Sequence, residues 1–378
     1  MGTLNELIPS IRIALDSVNR GMPGMMSSVY RDSSAESVAI NQEIIFPVTP
    51  EKKSRNVVPG QNVPSYEGDD IGNRKLKITK QKACDIKWTG NELLSMAKLR
   101  PNILADEFKQ CYETLMGEIE RDMVATAVSG GLEGGNVIGT AGTAPFASDI
   151  KPLNLALKTL QQRKAPMNDL RFVANLDASM NLRNLPQLQH INESGGNMLR
   201  DAEIGKLSKF MVAESNEITK HEKGDGAGYL VNASAGVSAG EKEITVDTGS
   251  GTFKQGDIIS IAGDTNKYVI AEEHTGVGVI KITTPLKTTL ADDSAVTIEE
   301  GYTPNFAFQK NALWLATRTI PNPQGGDGAK DSYIATDPVS GLSFLISEYG
   351  EYHQERIEVA IAWGTGIVKP SNIVTMLG

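Results

Sequence analysis

At 378 residues, 40% of them hydrophobic and 22% charged, the chain is long enough for two or three domains and has the apolar content of an ordinary buried core. Its 37 Lys and Arg stand against 46 Asp and Glu, a formal net charge of −9, which disfavours overall adhesion to DNA or to an anionic membrane. Two cysteines, Cys84 and Cys111, without a CxxC pair or histidines at ligand spacing, exclude a disulfide framework and a zinc site and fit a reducing compartment.

No apolar run approaches the ~20 residues that span a bilayer. The first 20 residues mix charges with apolar groups and lack a basic leader with a small-residue cleavage site, so a cytoplasmic, unprocessed chain is expected.

Apolar groups at Ile8, Ile11, Leu15 and Val18, followed by Gly21, Pro23 and Gly24, predict an amphipathic helix over 8–18 at the end of an arm. Docking on its own domain and docking on a neighbouring subunit suit that pattern equally. Alternation over 38–48, and again over 75–88 with Leu76, Ile78, Ile86 and Trp88, predicts paired strands. The stretch between, 49–73, carries Pro50, Pro59, Gly60, Pro64, Gly68 and Gly72. It is too polar to bury and too long for a hairpin turn, and it needs something outside its own domain. Residues 45–94 hold nine basic side chains (Lys52, Lys53, Arg55, Arg74, Lys75, Lys77, Lys80, Lys82, Lys87) against six acidic ones, a local charge of +3 in an acidic protein. Such a segment is either a solvated hairpin or a basic arm that meets an acidic neighbour.

Leu104, Phe108, Cys111, Leu115, Ile119 and Met123, spaced by three or four, predict the longest helix over 102–129, ended by Gly130 and Gly131. Its opposite face, with Asp106, Glu107, Lys109, Glu113, Glu118, Glu120, Arg121 and Asp122, reads as a solvated or subunit-facing surface. The glycine-rich 130–142 reads as flexible, and no helix N-terminus directly follows it, so it is no phosphate cradle. Leu153, Leu157 and Leu160 predict a helix over 153–163, LRFVA (170–174) a buried strand, and 180–188 a short helix, together a mixed α/β domain.

From 229 to 303 the pattern changes to short runs (KEITV, DIISIAG, KYVIAEE, VGVIKIT, AVTIEE) separated by Gly, Asn and Asp, the signature of a small β-barrel or sandwich. Eleven acidic residues against five lysines give this insert a charge of −6. Residues 306–320 and 357–369 then return to long apolar strands suited to a sheet buried on both faces. The insert interrupts a domain that resumes after it.

The four histidines, His190, His221, His274 and His353, are scattered, with no metal-ligand spacing, and surface positions are expected for them. Ser250 in TGSGT is a turn residue, and the paired acids Asp69 and Asp70, and Asp292 and Asp293, sit in polar loops without burial to raise a pKa. No catalytic, cofactor-binding or metal-binding residue is nominated, and no cofactor is expected.

An amphipathic arm, a long basic strand-loop-strand, a long axial helix, a mixed α/β domain, an acidic β insert and returning strands, in that order, resemble the major capsid proteins of tailed double-stranded DNA phages. The insert narrows the resemblance to the podovirus coat-protein branch. Local likenesses are TFKQGDIISIAG (252–263), FQKNALWLATRTIP (308–321) and IAWGTGIVKPSNIV (361–374). The resemblance implies an α+β chain of the Hong Kong-type capsid fold, divided as an N-terminal arm (1–37), an extended loop with its flanking strands (38–90), a peripheral domain with a spine helix (91–149), the first part of an axial domain (150–228), an inserted β-barrel (229–303) and the remainder (304–378). It implies pentamers and hexamers closing into an icosahedral shell, with a scaffolding protein and a portal during assembly, double-stranded DNA packaged without sequence-specific binding, and no membrane. Lys52, Lys53, Arg55, Arg74 and Lys75 are the implied inter-subunit contacts. Residues 232–240 are short and uncharged where relatives carry a charged bridging loop, which puts that bridge in doubt. No Lys–Asn crosslink through Lys52 or Lys53 is expected, and a covalent ladder on a denaturing gel would contradict this. The competing readings are an encapsulin-type compartment shell, which the insert opposes, and a glycan-binding surface protein, which would need aromatic platforms.

Overall fold

The computed structural model describes residues 4–18, 24–37, 39–48, 72–95, 100–185, 205–234, 236–264, 266–321, 328–337 and 341–378. Helix α1 (Leu4–Val18) buries Ile11, Ala14 and Leu15, the i, i+3, i+4 stripe of an amphipathic helix, and lays it on the chain's own longest helix. A single turn of helix, α2 (Gly24–Ser28), leads into β1 (Tyr30–Ser37). Strands β2 (Glu43–Val48) and β3 (Gly72–Lys77) pair antiparallel, and β4 (Lys80–Thr89) follows. Residues 75–88 are thus two strands and not one. At Ile78 the amide still donates to Gln42 O, whereas the amide of Thr79 donates to Trp363 O, so the chain changes partners between these residues. Helix α3 (Gly90–Ser95) opens on a capping box in which Glu92 accepts from the amide and hydroxyl of Thr89.

Helix α4 (Arg100–Gly134) has 35 residues and, at about 1.5 Å per residue, spans about 52 Å. It runs through Gly130 and Gly131, where the sequence predicts its end. A Cβ on Gly131 would lie 1.8 Å from Thr375 Oγ1, and one on Gly130 would lie 2.8 Å from Ile373 Cδ1. These glycines admit a strand against the helix; the stop comes at Gly135, in the left-handed conformation at φ +63°. Strand β5 (Val137–Ile138) follows, so the glycine-rich stretch is ordered by packing.

The next region holds α5 (Lys151–Gln162), β6 (Leu170–Ala174), α6 (Leu176–Asn184), β7 (Lys206–Leu207) and β8 (Phe210–Glu214). Helix α6 starts four residues before its predicted position because the Asn175 side chain caps it, accepting from the Ala178 amide at 2.9 Å.

The insert contains β9 (Tyr229–Val231), β10 (Glu243–Asp247), β11 (Thr252–Phe253), β12 (Ile258–Ile261), β13 (Lys267–Val269), β14 (His274–Thr275), β15 (Gly278–Lys281) and β16 (Ala295–Ile298). Six of them form the order β13-β12-β16-β9-β10-β15. The two ends of that order meet through Ala271 N–H to Lys281 O (2.8 Å) and Thr283 N–H to Val269 O (2.9 Å), closing a barrel around Tyr229, Ile244, Phe253, Ile259, Tyr268 and Ile280. His221 and Tyr302 exchange backbone hydrogen bonds where the chain enters and leaves it.

The chain ends in β17 (Pro304–Gln309), β18 (Leu313–Thr319), β19 (Asp331–Thr336), β20 (Ser343–Glu351), β21 (Gln354–Ile367) and β22 (Ile373–Leu377). One sheet runs β1-β18-β21-β20-β19, with β4 also on β21; the other runs β5-β22-β17-β6-β8-β7. The apolar run 306–320 therefore serves two sheets. A 3₁₀ turn at Lys310–Ala312 passes the chain from one to the other, and a second turn at Pro370–Asn372 passes it back. Helix α4 is the axis between them: Phe108, Tyr112, Leu115, Ile119 and Met123 share one core with Phe344, Val359 and Trp363 of the first sheet and Val173, Phe306 and Phe308 of the second. Helices α5 and α6 cover the far face of the second sheet through Leu153, Leu160, Ala178 and Leu182. Parallel pairs (β1–β18, β6–β8, β5–β22) are outnumbered by antiparallel ones, so the class is α+β.

Candidate assembly surfaces

The β2–β3 ladder belongs to neither large sheet. Its base is anchored where Leu76 and Ile78 pack with Ala316 and Ala362. Beyond the base, Ile45 is 57% exposed. Of the five nominated contacts, Lys52, Lys53 and Arg55 lie outside the described residues. Arg74 is exposed and has no carboxylate partner among the described residues. Lys75 lies 2.6 Å from Glu43 Oε2 across the same hairpin, with Lys77 on the other oxygen at 3.5 Å, and these lysines hold the Glu43 carboxyl below the usual range. Lys80 and Lys82 of β4 meet Asp122 and Glu118 of α4. Part of the local basic excess is therefore balanced within the chain by acids of the spine helix.

The face of α4 read as solvated or subunit-facing includes a residue that is neither. Glu120 is fully buried. Its carboxylate accepts from the amides of Met25 and Met26 and from Ser215 Oγ, each at 2.7 Å. One side chain thus caps α2 and ties the arm and the end of β8 to the spine. Burial pushes its carboxyl up, against the pull of those three donors. Asp122 likewise accepts from Trp363 Nε1 at 2.8 Å. The sequence signal for Glu120 was its position beside Ile119 and one turn from Met116, inside the apolar stripe.

In the insert, Asp257 is buried and accepts from His221 Nε2 (2.8 Å) and from the amides of Lys254 and Gly224. His221 is thus a half-buried tie between linker and barrel and not a surface histidine. Asp264 accepts from Tyr268 OH (2.6 Å), the Asn266 amide and Thr288 Oγ1. Against the desolvation that burial imposes, these donors hold it down at about 2. Asp292 accepts from the Ala233 amide, and Val237 pairs with Leu290, so the described part of 232–240 lies on its own barrel. The insert's aromatics Tyr229, Phe253, Tyr268 and Tyr302 are all buried, and none offers a flat platform for a sugar. Between α4 and the barrel lies a cleft of about 610 Å³ whose polar lining includes Arg121 and Glu217, ion-paired at 3.1 Å. Among the described residues no cluster of His, Cys, Asp and Glu is arranged for a metal ion.

A scan of family models finds no match, and a search of curated proteins finds none either. Among solved structures the chain is similar to one from Mycobacterium phage Che8, with 14% identity, 94% of this chain and 90% of that one covered, and a TM-score of 0.49. It is similar to the capsid structure of cyanophage P-SCSP1u at 13% identity, 94% and 89% coverage and a TM-score of 0.45. It is also similar to a virus-like particle from Pyrococcus furiosus at 10% identity, 97% and 98% coverage and a TM-score of 0.44. Within the chain itself, an arm helix, a projecting hairpin, a spine helix between two sheets and a barrel set into the second sheet's domain follow one another. This is the order of parts that the resemblance drawn from the sequence implies.

Proposed function

We propose that this chain is the coat subunit of a tailed double-stranded DNA phage. In that reading it assembles in the host cytoplasm into pentamers and hexamers of an icosahedral shell, with a scaffolding protein and a portal as assembly partners and DNA as the packaged content, and it carries no catalysis. The observation that carries the reading is the β2–β3 ladder. A two-stranded hairpin is marginal in water by itself, and this one joins neither sheet, leaves Ile45 and Arg74 exposed, and borders a 23-residue polar segment, 49–71, that carries Lys52, Lys53 and Arg55. A neighbouring copy that covers it supplies the missing contacts. Each exposed ion pair across such an interface contributes a fraction of a kcal/mol, so the shell depends on many repeated contacts and on buried apolar area.

The insert, closed on its own barrel with the described part of 232–240 laid against it, supports contacts between capsomers that differ from a charged bridging loop. The test is assembly of the variant Lys52→Gln/Lys53→Gln/Arg55→Gln followed by velocity sedimentation. Loss of the fast-sedimenting species with an unchanged circular-dichroism melt of the unassembled chain is expected. Unchanged assembly would remove the basic loop from the interface.

A further inference from the structure

Many described cations sit against carboxylates: Lys80 on Asp122, Lys82 on Glu118, Arg183 on Glu214, Lys267 on Glu299, Lys281 on Glu272. On one face of the axial domain, cations without such partners come together. Helix α5 buries Leu153, Ala156 and Leu160 against the second sheet and turns Asn154, Lys158, Gln161 and Gln162 outward. Arg163 and Lys164 continue the exposed surface just past the helix end. The β7–β8 turn lies beside it, because Ser208 Oγ is 3.0 Å from Asn154 Oδ1, one helical turn from Lys158, and that turn presents Lys206 and Lys209. Lys158, Arg163, Lys164, Lys206 and Lys209 are all exposed, and none has a carboxylate partner among the described residues. The stretches 150–168 and 205–209 contain no Asp and no Glu. Of the two adjoining acids, Asp149 is already paired with Lys151 at 2.6 Å, and Asp169 lies at the far end of the first stretch.

We infer that this face binds the phosphate backbone of duplex nucleic acid, and so marks the side of the subunit that meets packaged DNA. Three features select that partner. Five cations without a carboxylate partner among the described residues, in a chain of net charge −9, form a local field that attracts a polyanion although the whole molecule does not. Four of the five are lysines, which are depleted in protein–protein interface cores and suit diffuse phosphate contacts. The stretches 150–168 and 205–209 contain no Phe, Tyr or Trp, so there is no platform on which unpaired bases could stack, as single-strand binders require. Contact is to the backbone, without reading of sequence. The coat reading supplies the DNA; the chemistry of the face does not depend on it.

The experiment is equilibrium binding of the full, unassembled chain to a fluorescent duplex across a salt series, with polyglutamate of matched charge as the competing polyanion. The wild type is expected to bind with a slope of log affinity against log salt of about −4, as about five phosphate contacts require. Lys158→Gln/Lys164→Gln/Lys209→Gln should reduce that slope by about 3, and the Glu versions of the same three should lower affinity more than tenfold at low salt, each with an unchanged circular-dichroism melt. Binding that the variants leave unaltered would overturn the inference. Polyglutamate that competes as well as unlabelled duplex would overturn it too, by making the face a dock for an acidic polypeptide. Shell formation, scored separately by microscopy, does not enter either readout, so failure of the coat reading and failure of this face are distinguishable.

Discussion

Replacing Glu120 with alanine removes one acceptor from three buried donors at once. The amides of Met25 and Met26 and the Ser215 hydroxyl all reach its carboxylate at 2.7 Å, and Glu120 is 0% exposed. Hydrogen bonds to a charged group contribute about 1.5–3 kcal/mol each, and a buried donor left unsatisfied costs about 1–3 kcal/mol. The desolvation that the carboxylate no longer suffers, and water reaching the start of α2, offset part of this. The net expectation is a loss of about 3–5 kcal/mol. Glu120→Gln keeps one acceptor but turns an amide N–H₂ toward donors, and it should lose about half as much. Urea unfolding of the full chain followed by circular dichroism measures both. Limited proteolysis should show earlier cleavage in the arm, because α2 loses its cap. A loss below about 1 kcal/mol for Glu120→Ala would refute the view that this side chain pins the arm to the spine.

Two glycines of α4 make opposite predictions. Gly117 has nothing within 4 Å of an added Cβ, so Gly117→Ala should stabilise by about 0.5–1 kcal/mol through helix propensity. Gly131→Ala, whose Cβ meets Thr375 Oγ1 at 1.8 Å, should destabilise by about 1–3 kcal/mol; the same urea titration checks both. For acid stability, the folded-state pKa of Asp264, about 2, lies below its unfolded value of about 3.9. Its contribution is therefore present above pH ~4 and is lost as pH falls through about 2. Asp264→Asn should flatten the fall in barrel stability across that window, as read by tyrosine fluorescence during acid titration. An unchanged acid profile would mean that its hydrogen bonds to Tyr268 and Thr288 do not hold the turn.

The sequence carried the elements whose cause is local. The apolar stripe of α1, the five insert strands and the LRFVA strand all follow from periodicity within a few residues. What it missed depended on contacts distant along the chain. Gly130 and Gly131 read as a helix stop because nothing nearby shows that Ile373 and Thr375 pack on them. The run 306–320 read as one strand because the turn at Lys310–Ala312 has no Gly or Pro. Glu120 read as solvated because its donors are 95 and 94 residues upstream and 95 residues downstream. Of the nominated interface residues, Arg74 is open to a partner and Lys75 is already matched by Glu43. The α5 face was legible only as a lack of acids, which gains meaning once the turn at Ser208 is seen to lie beside it.

Electron microscopy of the full chain, expressed alone and with a scaffolding partner, tests the central claim most directly. Closed shells of uniform diameter whose wall is built from this chain, with icosahedral symmetry on averaging, are predicted. A species that stays monomeric under both conditions would contradict the coat assignment.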